Sequence, residues 1–230
     1  MKLRGVLLDL DGTLVDQEGA VVAALRSWLP VLGVEPTAAA VELWQVVQER
    51  HLVAWRERTI SFAEQRRRRL RDFLPAFGIS YVDDELDEIF DGYLHAYEDS
   101  WRIFDDVDDA LARIAAAGLA TAVLTNGTRE QQNDKLARVG LAGRVGPVYT
   151  VEDLGVAKPH AGAFLGACER WGLPPAGVLS VGDRHDLDVL AARAAGLQAV
   201  HLDRLNAGPP HEPHRITSLR ELSLPHSWAG

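Results

Sequence analysis

Apolar positions along the chain fall into two textures. Residues 4–10, Arg-Gly-Val-Leu-Leu-Asp-Leu, form a short apolar run that closes in acid and glycine. That is the pattern of a strand buried on both faces. From Gly118 onward such runs alternate with helical stretches. Leu119–Leu124 is apolar and leads into Thr-Asn-Gly and a helical pattern reaching Val139. Val145–Val151 is strand-like, and Ala161–Trp171 is helical behind Pro159. Val178–Val181 ends in Gly-Asp, the Ala-rich stretch Asp186–Ala195 is helical and stops at Gly196, and Leu197–Leu202 is again a strand. Strands alternating with helices predict an α/β fold: a doubly wound, Rossmann-like parallel sheet with helices on both faces.

The middle of the chain differs. Between Gly19 and Ala96 the periodicity is helical and strand signals are nearly absent. Trp44, Val47, His51 and Trp55 fall on one helical face, and Gly33-Val34-Glu35-Pro36, Leu74-Pro75 and Phe77-Gly78 punctuate the stretch. The pattern predicts a discontinuous α/β core, residues 1–15 and 98–230, with an all-helical domain, residues 16–97, inserted after the first strand. A Pro- and His-rich tail begins near Asn206, with a last short helix expected over Ile216–Leu222.

Composition narrows the classes of function. The 230 residues, 47% hydrophobic and 25% charged, fit an ordinary globular protein. A formal net charge of −9 argues against a nucleic-acid polymer or an anionic membrane as partner. No apolar stretch approaches the roughly 18 residues that cross a bilayer. Cys168 is the one cysteine, so no internal disulfide can form. A cytoplasmic monomer or homodimer is expected. Lysine occurs only at positions 2, 135 and 158, so any role that demands a lysine has few candidates.

Four short segments carry candidate chemistry, each at the predicted carboxyl end of a strand or opening a helix. In Asp9-Leu10-Asp11-Gly12-Thr13, an extended backbone would turn both carboxylates to one side. Two carboxylates there can hold Mg²⁺ through oxygen, or divide phosphoryl transfer between a nucleophile and a proton carrier. A surface turn would use the same residues. Thr125-Asn126-Gly127 offers a hydroxyl and backbone N–H groups that suit a phosphate, although a helix cap explains it equally. Lys158-Pro159 offers one cation between a carboxylate and a phosphate dianion. Asp183, Asp186 and Asp188 follow Val178–Val181 and can form a hard-cation site, or complement a helix dipole. Each segment has a bland explanation alone. A doubly wound sheet would bring all four to one crevice.

These segments, in this order, resemble the haloacid dehalogenase superfamily of hydrolases, in the subgroup with a helical cap inserted after the first strand. The stretch from Thr125-Asn126-Gly127 through Gln132, Lys135-Leu136 and Gly140-Leu141 to Lys158-Pro159 is similar to its nucleotidase-like branch. The resemblance implies a magnesium-dependent phosphomonoester hydrolase that acts on a small phosphorylated metabolite through an aspartyl-phosphate. Asp9 would be the nucleophile. Asp11 would be the general acid and then the base, with its carbonyl on the metal, and Thr13 would support the turn. Thr125, Asn126 and Gly127 would bind the transferring phosphoryl group, and Lys158 would orient it against Asp9. Asp183 would ligate magnesium, with Asp188 completing the acidic shell, and the helical insert would act as a lid.

Branches of the family differ at named positions. Dehalogenases usually carry Tyr where this chain has Asp11, and they need no magnesium. The phosphonate-cleaving branch needs a cap lysine, and residues 16–97 contain none. A sugar-phosphate mutase keeps the same core motifs, and a non-catalytic phosphate- or metal-sensing protein can share the fold. The Trp and Arg content of the insert, with the nucleotidase-like stretch, leans the substrate toward a nucleoside monophosphate. Arg66–Arg69 and Arg71 are expected to lie mostly on a solvated helix face, and His51 in a packed helical core.

Overall fold

The computed structural model describes residues 2–224. The chain divides into two compact units, Met1–Asp16 with Arg102–Gly230, and Gln17–Trp101. Residues 225–230 of the expected core lie outside the described residues.

The first unit is built on six parallel strands: β1 (Gly5–Leu8), β2 (Ala120–Leu124), β3 (Val148–Tyr149), β4 (Val178–Gly182), β5 (Gln198–Leu202) and β6 (Arg215–Ile216). Their order across the sheet is β3-β2-β1-β4-β5-β6. The chain winds outward from β1 to β3, then returns to β1's other side. β1 is therefore the switch point, and the crevice lies beyond its carboxyl end, between the ends of β2 and β4.

The helices are α1 (Gln17–Trp28), α2 (Ala38–Arg56), α3 (Phe62–Phe73), α4 (Leu86–Asp99), α5 (Val107–Ala116), α6 (Arg129–Arg138), α7 (Val151–Leu154), α8 (Ala161–Trp171) and α9 (Ala191–Ala194). Strand residues alternate between the two sheet faces. Val6, Leu8, Val123 and Val181 pack with Leu111 and Ile114 of α5 and Leu136 of α6. Leu7, Ala122 and Val178 pack on the opposite face with Phe164 and Ala167 of α8 and Ala192 of α9. Burial on both faces is why these strands are continuously apolar in sequence.

Three segments depart from the sequence reading. Val145–Val151 forms a strand only at Val148–Tyr149, because Gly146 takes φ 71° and the Thr150 side chain already caps α7 through the Asp153 N–H. Asp186–Ala195 opens as a wide π-helical segment over His185–Leu190 before α9. Ile216–Leu222 splits: Arg215–Ile216 pairs with β5, and a single 3₁₀ turn follows at Leu219–Glu221.

The second unit, α1 to α4, contains no strand among its described residues. Thr37 and Ser61 cap α2 and α3 by accepting the N–H of Ala40 and Glu64. Its core is aromatic: Trp44 lies 4.4 Å from Tyr93, 5.1 Å from Phe73 and 5.5 Å from Trp28, ring centre to ring centre. His51 is buried and bonds Asp72 at 2.8 Å. Arg67, Arg68 and Arg71 pair with Asp87, Glu64 and Asp83, while Arg69 is buried against Trp44 and Phe90.

Candidate active site

The site begins where β1 ends. Asp9 follows the strand, and its N–H still bonds the Val181 carbonyl of β4 at 2.9 Å. The chain then turns back on itself: Leu14 and Val15 N–H both bond the Leu10 carbonyl, and Gly12 N–H bonds Val15. Gly12 sits at φ 85°, and a Cβ there would lie 2.5 Å from Asp183 Oδ2. Glycine is required twice over, for the turn and for the approach of Asp183. Arg204, beyond β5, braces this turn by donating to the Thr13 carbonyl at 2.8 Å and pairing with buried Asp106.

Asp9 is enclosed by groups from distant parts of the chain. Thr13 Oγ1 donates to its Oδ2 at 3.3 Å. Lys158 Nζ donates to its Oδ1 at 2.5 Å and to Asp188 Oδ1 at 2.6 Å. Lys158 is itself fixed by Asn126, whose side chain accepts the Lys158 N–H at 2.8 Å and donates to the Lys158 carbonyl at 2.9 Å. Asn126 thus orients Lys158, and its side-chain amide is used in doing so. Asp188 approaches β4 so closely that a Cβ on Gly182 would fall 2.3 Å from its Cγ.

Asp9, Asp183 and Asp188 form a group in which one carboxylate oxygen from each lies within 4.8 Å of the others. Burial pushes Asp9 up to about 7 even though Lys158 pulls it down, and Asp188 and Asp11 add to the rise. Burial pushes Asp183 up to about 8, with the Asp9 and Asp188 charges adding to it. For Lys158 burial opposes the charge, but the Asp188 and Asp9 carboxylates outweigh it and raise the ammonium. Lys158 is shared between two acids, so it offsets only part of the repulsion. Asp183 Oδ1 is buried without a hydrogen-bond partner. Crowded, buried, oxygen-only donors with an unpartnered atom fit a hard divalent cation. Asp188 has both oxygens engaged, by Lys158 and by the Arg184 N–H at 3.0 Å, and Asp9 by Lys158 and, at a longer 3.3 Å, by Thr13, which leaves Asp183 the carboxylate best placed to hold a metal.

The Asp11 carboxylate points elsewhere. β1 ends at Leu8, so the alternation of an extended strand does not extend to Asp11. One Asp11 oxygen accepts Lys135 Nζ, and the other accepts Gln132 Nε2 at 2.8 Å. Gln132 Nε2 also donates to Thr125 Oγ1 at 2.9 Å. Thr125, at the end of β2, is buried, and its hydroxyl receives the Gly127 N–H at 3.2 Å.

The sequence pattern assigns no site role to Gln132 or Lys135. The available signal was two polar residues at i and i+3 beside Leu136 on the inward face of α6; all three are buried. Two of the chain's three lysines are thus in the site. His160 caps α8 by accepting the Gly162 N–H at 3.0 Å, and His185 pairs with Glu212 at 3.0 Å.

The haloacid dehalogenase-like hydrolase family model matches residues 3–196. The chain belongs to the haloacid dehalogenase-like hydrolases. It is 30% identical to the phosphoglycolate phosphatase of Escherichia coli O157:H7, over 98% of this chain and 94% of that one. Its fold is similar to that of the HAD-hydrolase YfnB of Bacillus subtilis, whose structure is bound to magnesium: TM-score 0.81, 21% identity, 96% and 97% of the two chains. It is also similar to the 2-haloacid dehalogenase of Pseudomonas syringae pv. Tomato DC3000, with TM-score 0.64, 28% identity and 94% and 95% coverage. The family and its phosphatase relatives mark this haloacid dehalogenase-like hydrolase as a phosphatase.

Proposed function

We propose that this phosphatase is a magnesium-dependent phosphomonoesterase that works through phosphorylated Asp9. The observation that carries the reading is the enclosure of Asp9 by Lys158, Asp183 and Asp188 at the end of β1. An Asp9 oxygen forms a bond to phosphorus as the bond from phosphorus to the leaving oxygen breaks. The leaving oxygen takes a proton from the Asp11 carboxyl. Water then gives a proton to the Asp11 carboxylate as its oxygen bonds phosphorus, and the bond to Asp9 breaks to release inorganic phosphate and restore Asp9. Lys158 aligns the nucleophile with the phosphoryl group, and Thr125 with the backbone at Asn126 and Gly127 receives its oxygens. Magnesium, held by Asp9, Asp183 and the Asp11 carbonyl with Asp188 behind them, would neutralise the carboxylates and the phosphoryl oxygens.

The substrate is a small phosphorylated metabolite, and the helical unit is the element we assign to selecting it. The phosphoglycolate phosphatase relatives make 2-phosphoglycolate the first candidate. The lean toward nucleotides rests partly on the Trp and Arg content of that unit, and this support weakens: Trp44 is fully buried and Arg67, Arg68 and Arg71 are ion-paired. The cytoplasm is the setting we infer; no described helix is long and apolar enough to cross a membrane.

The test is turnover on 2-phosphoglycolate, nucleoside monophosphates and hexose phosphates, with and without magnesium, followed by acid quench and mass spectrometry of the peptide carrying Asp9. The reading expects magnesium-dependent phosphate release and a phosphoryl group on Asp9. Full activity after exhaustive chelation would remove the metal from the mechanism. Phosphate passed to a second sugar hydroxyl instead of water would make the enzyme a mutase, and no turnover of any phosphomonoester would favour a sensing role.

A further inference from the structure

The helix α6 has no part in the reaction outlined above, yet it ends both oxygens of the Asp11 carboxylate in hydrogen bonds. Lys135 Nζ donates to Oδ1 and Gln132 Nε2 to Oδ2. Both side chains are 1% exposed. For a lysine that degree of burial demands a partner, and Asp11 supplies a charge. The same Gln132 amide nitrogen donates to Thr125 Oγ1, so one group spans the phosphoryl-binding hydroxyl and the proton carrier. The backbone makes room for it: a Cβ on Gly127 would lie 1.9 Å from Gln132 Nε2 and 2.4 Å from its Cδ. Gly127 therefore matters for the passage of the Gln132 side chain as well as for its own N–H.

We propose that Lys135 and Gln132 are positioning residues that hold the Asp11 carboxyl group in register with Thr125, so that α6 fixes where the leaving group receives its proton. The inference rests on the proposed role of Asp11. Lys135 and Gln132 need not touch the substrate. With a donor on each oxygen, the carboxyl group cannot rotate freely about its Cβ–Cγ bond. A proton carrier held in one orientation acts on a leaving oxygen far better than one that samples many.

The experiment measures kcat and KM of the magnesium-loaded enzyme on an activated aryl phosphate and on an unactivated alkyl phosphate. The variants are Lys135→Met, Lys135→Arg, Gln132→Leu and Asp11→Asn. A poor leaving group needs the proton and a good one does not. Lys135→Met should lower kcat on the alkyl phosphate by about 100-fold and on the aryl phosphate by no more than about fivefold, with KM little changed. Lys135→Arg should recover most of the loss. Adding Lys135→Met to Asp11→Asn should bring little further alkyl-selective loss, because no carboxylate remains to be held. Equal losses on both substrates, or full additivity with Asp11→Asn, would overturn the inference. If Lys135→Met does not fold by circular dichroism, Gln132→Leu decides by the same selectivity, with a smaller expected loss of about tenfold. An Asp11→Asn variant that loses equally on both substrates removes the acid–base reading and this inference with it. Alkyl-selective loss in Asp11→Asn but in neither α6 variant removes the inference alone.

Discussion

Lys158 Nζ donates to Asp9 Oδ1 at 2.5 Å, although the two residues stand 149 positions apart in sequence. The contact sets a buried cation against the carboxylate proposed to attack phosphorus, and Asn126 fixes it from behind through two hydrogen bonds to the Lys158 backbone. Replacing Lys158 by Met should lower kcat/KM by about 10²–10³, the usual cost of one preorganised electrostatic group. Lys158→Arg should not restore activity, because a planar guanidinium cannot serve as a point charge between Asp9 and Asp188. Steady-state kinetics with a folding control checks this. Activity of Lys158→Met within about threefold of wild type would leave the lysine a structural part only.

The acidic group around Asp183 makes a prediction about stability. Without a cation, folding brings Asp9, Asp183 and Asp188 together at a cost. Saturating magnesium should therefore raise Tm by several degrees, since a ligand at about 100 times its Kd adds roughly 2.7 kcal/mol. Asp183→Asn removes one of the crowded charges. It should raise Tm in chelator and abolish the response to magnesium. Differential scanning calorimetry with magnesium or chelator reads both, and an unchanged magnesium response in Asp183→Asn would place the metal elsewhere.

Glu212 supplies a pH dependence remote from the reaction. Its bonds from Arg193, together with the His214 N–H and His185, hold its carboxyl well below the usual 4.5 despite burial. A depressed carboxylate contributes stability that is present above its unfolded value and lost as pH falls below it. Glu212→Gln should thus cost roughly 2 kcal/mol at pH 7, and the difference from wild type should shrink between pH 4.5 and pH 3. Urea melts across that range check it. A difference independent of pH would mean that packing, not charge, gives Glu212 its effect.

The sequence disclosed most of the sheet because β1, β2, β4 and β5 are buried on both faces and must be continuously apolar. It disclosed Asp9, Thr125, Lys158 and Asp183 because each follows such a strand or opens a helix. It overstated β3, where the strand-like run Val145–Val151 pairs only at Val148–Tyr149, and did not disclose β6, whose pairing depends on its neighbour β5 rather than on its own pattern. The wide turn at His185–Leu190 was also hidden, since the Ala-rich run beyond it imitates a regular helix. Gln132 and Lys135 were hidden for a different reason. A polar residue on a helix is usually solvated, and only the tertiary fold turns this face of α6 onto Asp11. The buried Arg69 shows the same effect beside the ion-paired Arg67, Arg68 and Arg71.

The central claim is that Asp9 is the nucleophile, and the most direct test is turnover by Asp9→Asn. The substitution keeps the shape of the side chain but removes the attacking charge. The measurement is the single-turnover rate of phosphate release from the best substrate, at saturating magnesium, with circular dichroism to show that the fold is intact. The account predicts a fall of about 10³-fold or more. Asp9→Asn that retained more than a few per cent of the wild-type rate, about what an indirect role would allow, would contradict it.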